Sequence, residues 1–198
     1  MTNEISMDTL IAGDRAEFAR LVDMYSSSIY RLGLKMLGNR QDAEDVLQNT
    51  FLNALIHLPK FEGRSSITTW LYRIAANEAL MLIRKKRPEI SLEGSDDTGE
   101  TESIEDLKPK QFSDWSGLPE DKLLSSEGKK VLDTGIETLP ESLRIVFVLR
   151  DVEGLSIKET ADALNLTETN VKTRLLRARM FLREQISTYY GERAIREE

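Results

Sequence analysis

Lys172, Arg174, Arg177, Arg179 and Arg183 fall within a stretch that contains no acidic residue. Basic side chains at helical spacing can hold phosphate oxygens by charge and read base edges by hydrogen bonds. The residues before them say how that helix is presented. Ser156-Ile-Lys-Glu159 has the Ser-x-x-Glu order of a capping box, which opens a short helix. Ala161 is small where two helices must cross closely, and Asn165 tolerates the left-handed conformation that a tight turn needs. Thr167 suits the N-cap of the second helix. Val171, Leu175 and Ala178 then recur at core spacing, leaving Lys172, Thr173, Leu176 and Arg177 outward with Arg174 and Arg179 flanking. Together these signals predict a helix-turn-helix that places its second helix in the major groove of DNA. A basic helix by itself is more often a solvated face; here the cap, small residue, turn and charge coincide.

This prediction runs against the bulk charge. The 198-residue chain carries a formal net charge of −7, but unevenly. Residues 1–88 hold 12 basic and 10 acidic side chains, residues 89–130 hold 5 and 12, and residues 131–198 hold 10 and 12. The acidity therefore belongs to the middle of the chain, and its two ends are close to neutral. There is no cysteine, which excludes disulfides, thiolate metal sites and thiol sensing by this chain. No apolar run approaches the ~18 residues of a membrane span, and the N-terminal residues lack the layout of a signal peptide. A cytoplasmic protein without direct membrane insertion is the expectation.

The elements that must position these residues read as helices throughout. Ala16, Ala19, Leu21, Val22 and Tyr25 begin an apolar stripe that Ile29, Leu32, Met36 and Leu37 continue. Gly38-Asn39 breaks it, and Asp42 gives the next helix an acidic first turn. Val46, Leu47, Phe51, Ala54, Leu55 and Leu58 follow at core spacing, and Pro59 closes that helix. After a loop, a helix is predicted from about Thr68 to Arg87, ending in the basic run Arg84-Lys85-Lys86-Arg87 before Pro88. Residues 89–130 are rich in Gly, Ser, Asp and Glu and read as a flexible acidic linker. Within them Ile104, Leu107, Phe112, Trp115 and Leu118 are candidates to dock elsewhere. Pro140 suits the first turn of a further helix, and Gly154 closes it. The expected fold is all-α: two small helical domains, residues 8–88 and 131–190, joined by the linker 89–130.

The order of these motifs resembles the group 4, or extracytoplasmic function (ECF), sigma factors of bacterial RNA polymerase. Asp42-Ala-Glu-Asp-Val-Leu-Gln-Asn-Thr-Phe51 resembles the family's region 2.2. Phe61-Glu-Gly-Arg-Ser-Ser-Ile-Thr-Thr-Trp-Leu-Tyr-Arg-Ile-Ala-Ala-Asn77 resembles regions 2.3 and 2.4. Leu139-Pro-Glu-Ser-Leu-Arg144 and the helix-turn-helix resemble region 4. The resemblance implies an initiation factor that is not an enzyme and takes no cofactor or metal. Its implied partners are core RNA polymerase and promoter DNA, and often an inhibitory anti-sigma factor.

Roles follow by position. The resemblance implies that Asp42, Asp45, Gln48, Asn49 and Leu52 meet the clamp helices of the polymerase β′ subunit; the bland alternative is a solvated helix face. It implies that the loop Phe61, Glu62, Gly63, Arg64, Ser65, Ser66 captures a base flipped from the −10 element, with Arg73 and Asn77 on the supporting helix. Flipping costs a few kcal/mol of stacking, which a shaped pocket must offset. Tyr72 is open between stacking and core, whereas the spacing of Trp70 favours core. Arg84, Lys85, Lys86 and Arg87 would hold the backbone. Lys172, Thr173, Arg174, Leu176, Arg177 and Arg179 would meet the −35 element, with Arg177 the first choice for a base contact. Met81 stands where the family often has Asp, which puts a local salt bridge with Arg84 or Arg73 in doubt.

The family's two promoter elements lie about 20–25 base pairs apart, on the order of 80 Å at ~3.4 Å per base pair. A flexible tether of this length spans roughly 35–40 Å on average, so the free domains are expected to lie close together. The linker acids, from Glu93 to Asp106, are candidates to mimic nucleic acid, or to shield Arg84–Arg87 or Arg177. A soluble spacer is the plain alternative. A stand-alone helix-turn-helix regulator is the competing class. His57, the single histidine, has no metal partner in sight in the sequence, and the acids Asp42, Glu44 and Asp45 are explained by a helix start.

Overall fold

Asp14 caps the first long helix by accepting from the Glu17 amide at 2.8 Å, and Gly38 ends it at φ +72°. That helix is α2 (Arg15–Leu37), preceded by the short α1 (Met7–Ile11). Buried Glu17 ties the two by accepting from the Ser6 amide at 2.7 Å and from Arg20 at 2.8 Å. Helix α3 (Arg40–His57) starts from Asn39, whose side chain accepts from the Asp42 amide. A 3-10 turn over Leu58–Lys60 contains Pro59 and leads through an extended loop into α4 (Ile67–Lys86). The second half comprises α5 (Ser126–Thr138), α6 (Glu141–Phe147), α7 (Ile157–Leu164) and α8 (Glu168–Arg196). The computed structural model describes residues 5–86 and 126–196, and all described elements are helical. Arg87, the linker acids and the apolar residues 104–118 lie outside the described residues.

In the first domain α2, α3 and α4 pack mutually around Leu21, Ile29, Leu32, Val46, Ala54 and Leu71, all fully buried. Burying each Leu or Ile contributes roughly 1.5–3 kcal/mol. Phe18 and Phe51 meet edge to face at 6.4 Å. Gly33 lets α2 approach α3: a Cβ there would lie 3.0 Å from the Ala43 Cα. Two features of the predicted stripes differ. Ala16 and Ala19 are exposed, so the buried stripe of α2 begins at Leu21. Leu55 is also outside the core, at 51% exposure, because Ala54 and Leu58 already fill the inward positions of that turn.

In the second domain α6, α5 and α7 each pack on α8 around Ile136, Val146, Leu149, Val171, Leu175 and Ala178. Pro140 is the cap residue before α6 rather than part of its first turn. A widened, π-helical turn over Val148–Val152 follows α6. The chain then passes through Gly154 at φ +78° into α7. The two domains touch: α7 packs on α4, and α5 and α6 lie against α2.

Candidate nucleic-acid interface

The helix-turn-helix is built as its residues require. Ser156 and Glu159 form both bonds of the capping box, and Glu159 is held below its usual carboxylate range chiefly by its bond with Ser156. Asn165 adopts φ +54°, and the Thr167 hydroxyl accepts from the Asn170 amide at 3.2 Å. Val171, Leu175 and Ala178 are buried. On the other side of α8, Lys172 and Leu176 are exposed, and Thr173, Arg174 and Arg177 are half-buried. The Thr173 hydroxyl donates to the Thr169 carbonyl at 3.0 Å, and Lys172 lies 4.0 Å from Glu168. Arg179 differs: both arms of its guanidinium donate to Asp151, at 2.8 and 2.9 Å, which raises its affinity for its proton. This pair clamps α8 to the turn after α6, so Arg179 orients the recognition helix.

In the first domain the loop from Phe61 to Ser66 stands between two recesses. A cavity of about 630 Å³ lies on one side, walled by Ile5, Met7, Met24 and Tyr25 as well as the loop. One of about 230 Å³ lies on the other, bounded by Lys60, Arg64, Trp70 and Arg73. Phe61, Glu62 and Ser65 line both. Phe61 leans on half-buried Trp70 with ring centroids 5.2 Å apart, so Trp70 serves the packing, as its spacing implies. The Ser66 hydroxyl accepts from the Thr69 amide at 3.1 Å and fixes the start of α4. Gly63 takes φ +68°, with open space where a Cβ would be, so the turn needs its conformation and not its size. Glu62 and Arg64 pair at 2.5 Å on the exposed tip.

Along α4, Asn77, Arg84, Lys85 and Lys86 are exposed. The three bases sit at the helix C-terminus, where the macrodipole favours positive charge. Tyr72 is buried; its hydroxyl donates to Glu153 of the second domain at 2.9 Å. Burial first, and then the Glu153 charge, push its phenol far above the usual value. Arg73 donates to the Asp162 carbonyl of α7. Two of the residues expected at a DNA surface therefore face the other domain in this structure.

On α3, Gln48 and Leu52 are exposed, and Asp45 and Asn49 are half-buried beside them. Asp42 is apart from this face: it is buried at the helix start, accepting from Asn39 and paired with Lys86. These bonds hold its carboxyl below the usual range, the Lys86 bond most strongly. Sequence reasoning missed Ile56, which is 65% exposed and continues the face with Leu52 and Leu55. The signal was present: positions 52, 55 and 56 form a second apolar stripe at i, i+3, i+4 beside the core stripe. The α1 wall of the larger cavity had no signal in so short and irregular a segment.

Comparisons with known proteins match this architecture domain by domain. Residues 21–89 match the family model Sigma-70 region 2, and residues 129–182 match Sigma-70, region 4. The chain is 37% identical over 174 residues to the ECF RNA polymerase sigma factor SigW of Bacillus subtilis (strain 168), covering 88% of this chain and 91% of that one. It is 33% identical over 186 residues to the ECF RNA polymerase sigma-E factor of Escherichia coli (strain K12), covering 90% and 91%. The fold is similar to that of CnrH, solved in complex with the cytosolic domain of CnrY, with TM-score 0.65 and 22% identity over 92% of this chain and 95% of that one. It is also similar to the sigma factor RpoE of Bartonella quintana, solved with the anti-sigma factor NepR, with TM-score 0.62 and 19% identity over 86% and 97%. Two helical domains in this order, the second a DNA-binding helix-turn-helix, place the chain in the ECF sigma factors of the sigma-70 family, non-enzymatic initiation factors that direct RNA polymerase to promoters.

Proposed function

We propose a division of labour between two domains, 8–88 and 131–190, with α5 (Ser126–Thr138) reaching back from the second into the stretch 89–130 that reads as linker. The first domain binds core polymerase through the face of α3 that carries Asp45, Gln48, Asn49 and Leu52, extended by Leu55 and Ile56. Three exposed apolar side chains on one helix face favour burial against a partner. The loop from Phe61 to Ser66 receives an unpaired base of the −10 element, with Asn77 and Arg84–Lys86 along the strand. The second domain reads the −35 element with Lys172, Thr173, Leu176 and Arg177. The observation that carries this reading is the loop standing between two open recesses, whose aromatic and polar lining offers an unstacked base contacts that offset its lost stacking.

Run-off transcription with purified core polymerase tests it on a promoter that the wild-type chain opens. Phe61→Ala is expected to keep polymerase binding but lose opening, seen as permanganate-reactive thymines at −10. Arg177→Ala is expected to flatten discrimination at one −35 base pair by about 1–3 kcal/mol. Unchanged opening with Phe61→Ala would remove the loop from the reading. No described helix is long and apolar enough to cross a membrane, and action in the cytoplasm, where polymerase works, is part of the proposal. An anti-sigma factor is a further proposed partner, by likeness to the neighbour solved with NepR.

A further inference from the structure

Glu153 belongs to the second domain, yet its carboxylate is received by the first. Arg31 of α2 donates to it twice, from Nε at 2.6 Å and from Nη2 at 2.8 Å. Tyr72 of α4 donates at 2.9 Å, and the Ser28 hydroxyl braces Arg31 at 3.2 Å. The Glu153 side chain is 1% exposed. A widened helical turn and Gly154 set its backbone, so that the carboxylate projects across the domain boundary. A planar guanidinium plus a phenol hydroxyl is a receptor for any two-oxygen anion, a phosphodiester as well as a carboxylate. Next to it Arg73 is held by the Asp162 carbonyl. With Glu153 in place, Tyr72 is 4% exposed.

We propose that Arg31 and Tyr72 form an anion site on the first domain that Glu153 occupies in the free chain and a backbone phosphate of the promoter occupies in the complex. The free chain is thus closed over its own strand-binding face, and Glu153 is the latch. Closure and strand binding exclude one another because they use the same donors. A latch that keeps nine of ten molecules closed weakens apparent strand affinity by about tenfold. The phosphate half of the proposal rests on the −10 reading above; the latch half does not.

The absence of cysteine makes the test clean, because Asp23→Cys and Lys158→Cys, both on exposed positions of different domains, take a dye pair without background. Glu153→Gln in the full chain keeps size and removes charge. It is expected to lower energy transfer between the dyes. It should also raise affinity for the non-template −10 strand, supplied as a single-stranded oligonucleotide, by about tenfold. Adding Arg31→Ala to the opened variant should remove most of that gain. The double exchange Arg31→Glu with Glu153→Arg should restore transfer but not strand binding, which a merely structural ion pair would not separate. Unchanged transfer with Glu153→Gln overturns the latch. Opening without a gain in strand affinity, or a gain that survives Arg31→Ala, overturns the shared site. Failure of the −10 reading is distinguished by the polymerase assay with Phe61→Ala, which does not involve closure.

Discussion

Asp42 accepts from two donors of different kinds, the neutral amide of Asn39 and the ammonium of Lys86. Both favour its charged form, so its folded pKa lies below the unfolded value of about 3.9. A group shifted down in this way contributes stability above the unfolded pKa and loses it as pH falls through the folded one. Asp42→Asn is therefore expected to be less stable than wild type at neutral pH, with the difference narrowing steadily below about pH 4. Lys86 is 55% exposed, so solvent screens the pair and the effect is modest. Urea midpoints from pH 7 to pH 3 check this; a difference that stays constant with pH would assign Asp42 a purely steric role. The partner in the cap behaves differently. Asn39→Ala removes the acceptor for the Asp42 amide, a cost of about 1 kcal/mol that persists at low pH, and also one of the two donors to the Asp42 carboxylate, so its total cost should be somewhat larger at pH 7 than at pH 3.

At the scale of elements, two faces of α3 have opposite demands. Towards α2 the helices meet backbone to backbone at Gly33, where an added methyl would crowd the Ala43 Cα. Gly33→Ala should force α2 and α3 apart and cost about 1–3 kcal/mol, read as a lower urea midpoint. On the outer face, replacing Leu55 and Ile56 with Ser is expected to leave stability within about 0.5 kcal/mol per site while weakening competition for core polymerase. Equal polymerase affinity would take that face out of the interface. The two faces also show what a sequence reveals. The helix-turn-helix was legible down to its cap, its left-handed Asn165 and its buried Val171, because each signal is local. Leu55 read as core because spacing finds apolar positions and does not say which stripe is covered. Asp42 read as surface because its partner Lys86 lies on another helix. Tyr72 stayed open between roles until Glu153, 81 residues later, was found against it.

Across the whole molecule the two domains share one continuous cluster of buried apolar residues, joined where α7 meets α4 and α6 meets α2. Polar contacts reinforce the seam. Lys35 pairs with Asp133, and Arg144 donates from Nη1 to the Met36 carbonyl at 2.7 Å, among the last carbonyls of α2, which have no partner within the helix. The same guanidinium reaches the Leu139 carbonyl at 2.8 Å, so one side chain satisfies the last turns of α2 and α5 together. A positive charge at a helix C-terminus adds its interaction with the macrodipole. Domains coupled this way should unfold together, so the free chain is expected to give one calorimetric transition whose calorimetric and van't Hoff enthalpies agree. Arg144→Ala leaves partly buried carbonyls without their donor, at about 1 kcal/mol. Its loss falls on the seam as much as on either core, so the transition should broaden or split, with the calorimetric enthalpy exceeding the van't Hoff value. If the two promoter elements are spaced as the family resemblance implies, about 20–25 base pairs apart, polymerase holds the same domains on the order of 80 Å apart. Opening the seam is then part of the work of assembly, and variants that weaken it should bind core more tightly while being less stable alone. Two transitions already in wild type would mean that closure couples the domains too weakly to oppose assembly, and Arg144→Ala would then change stability without changing polymerase affinity.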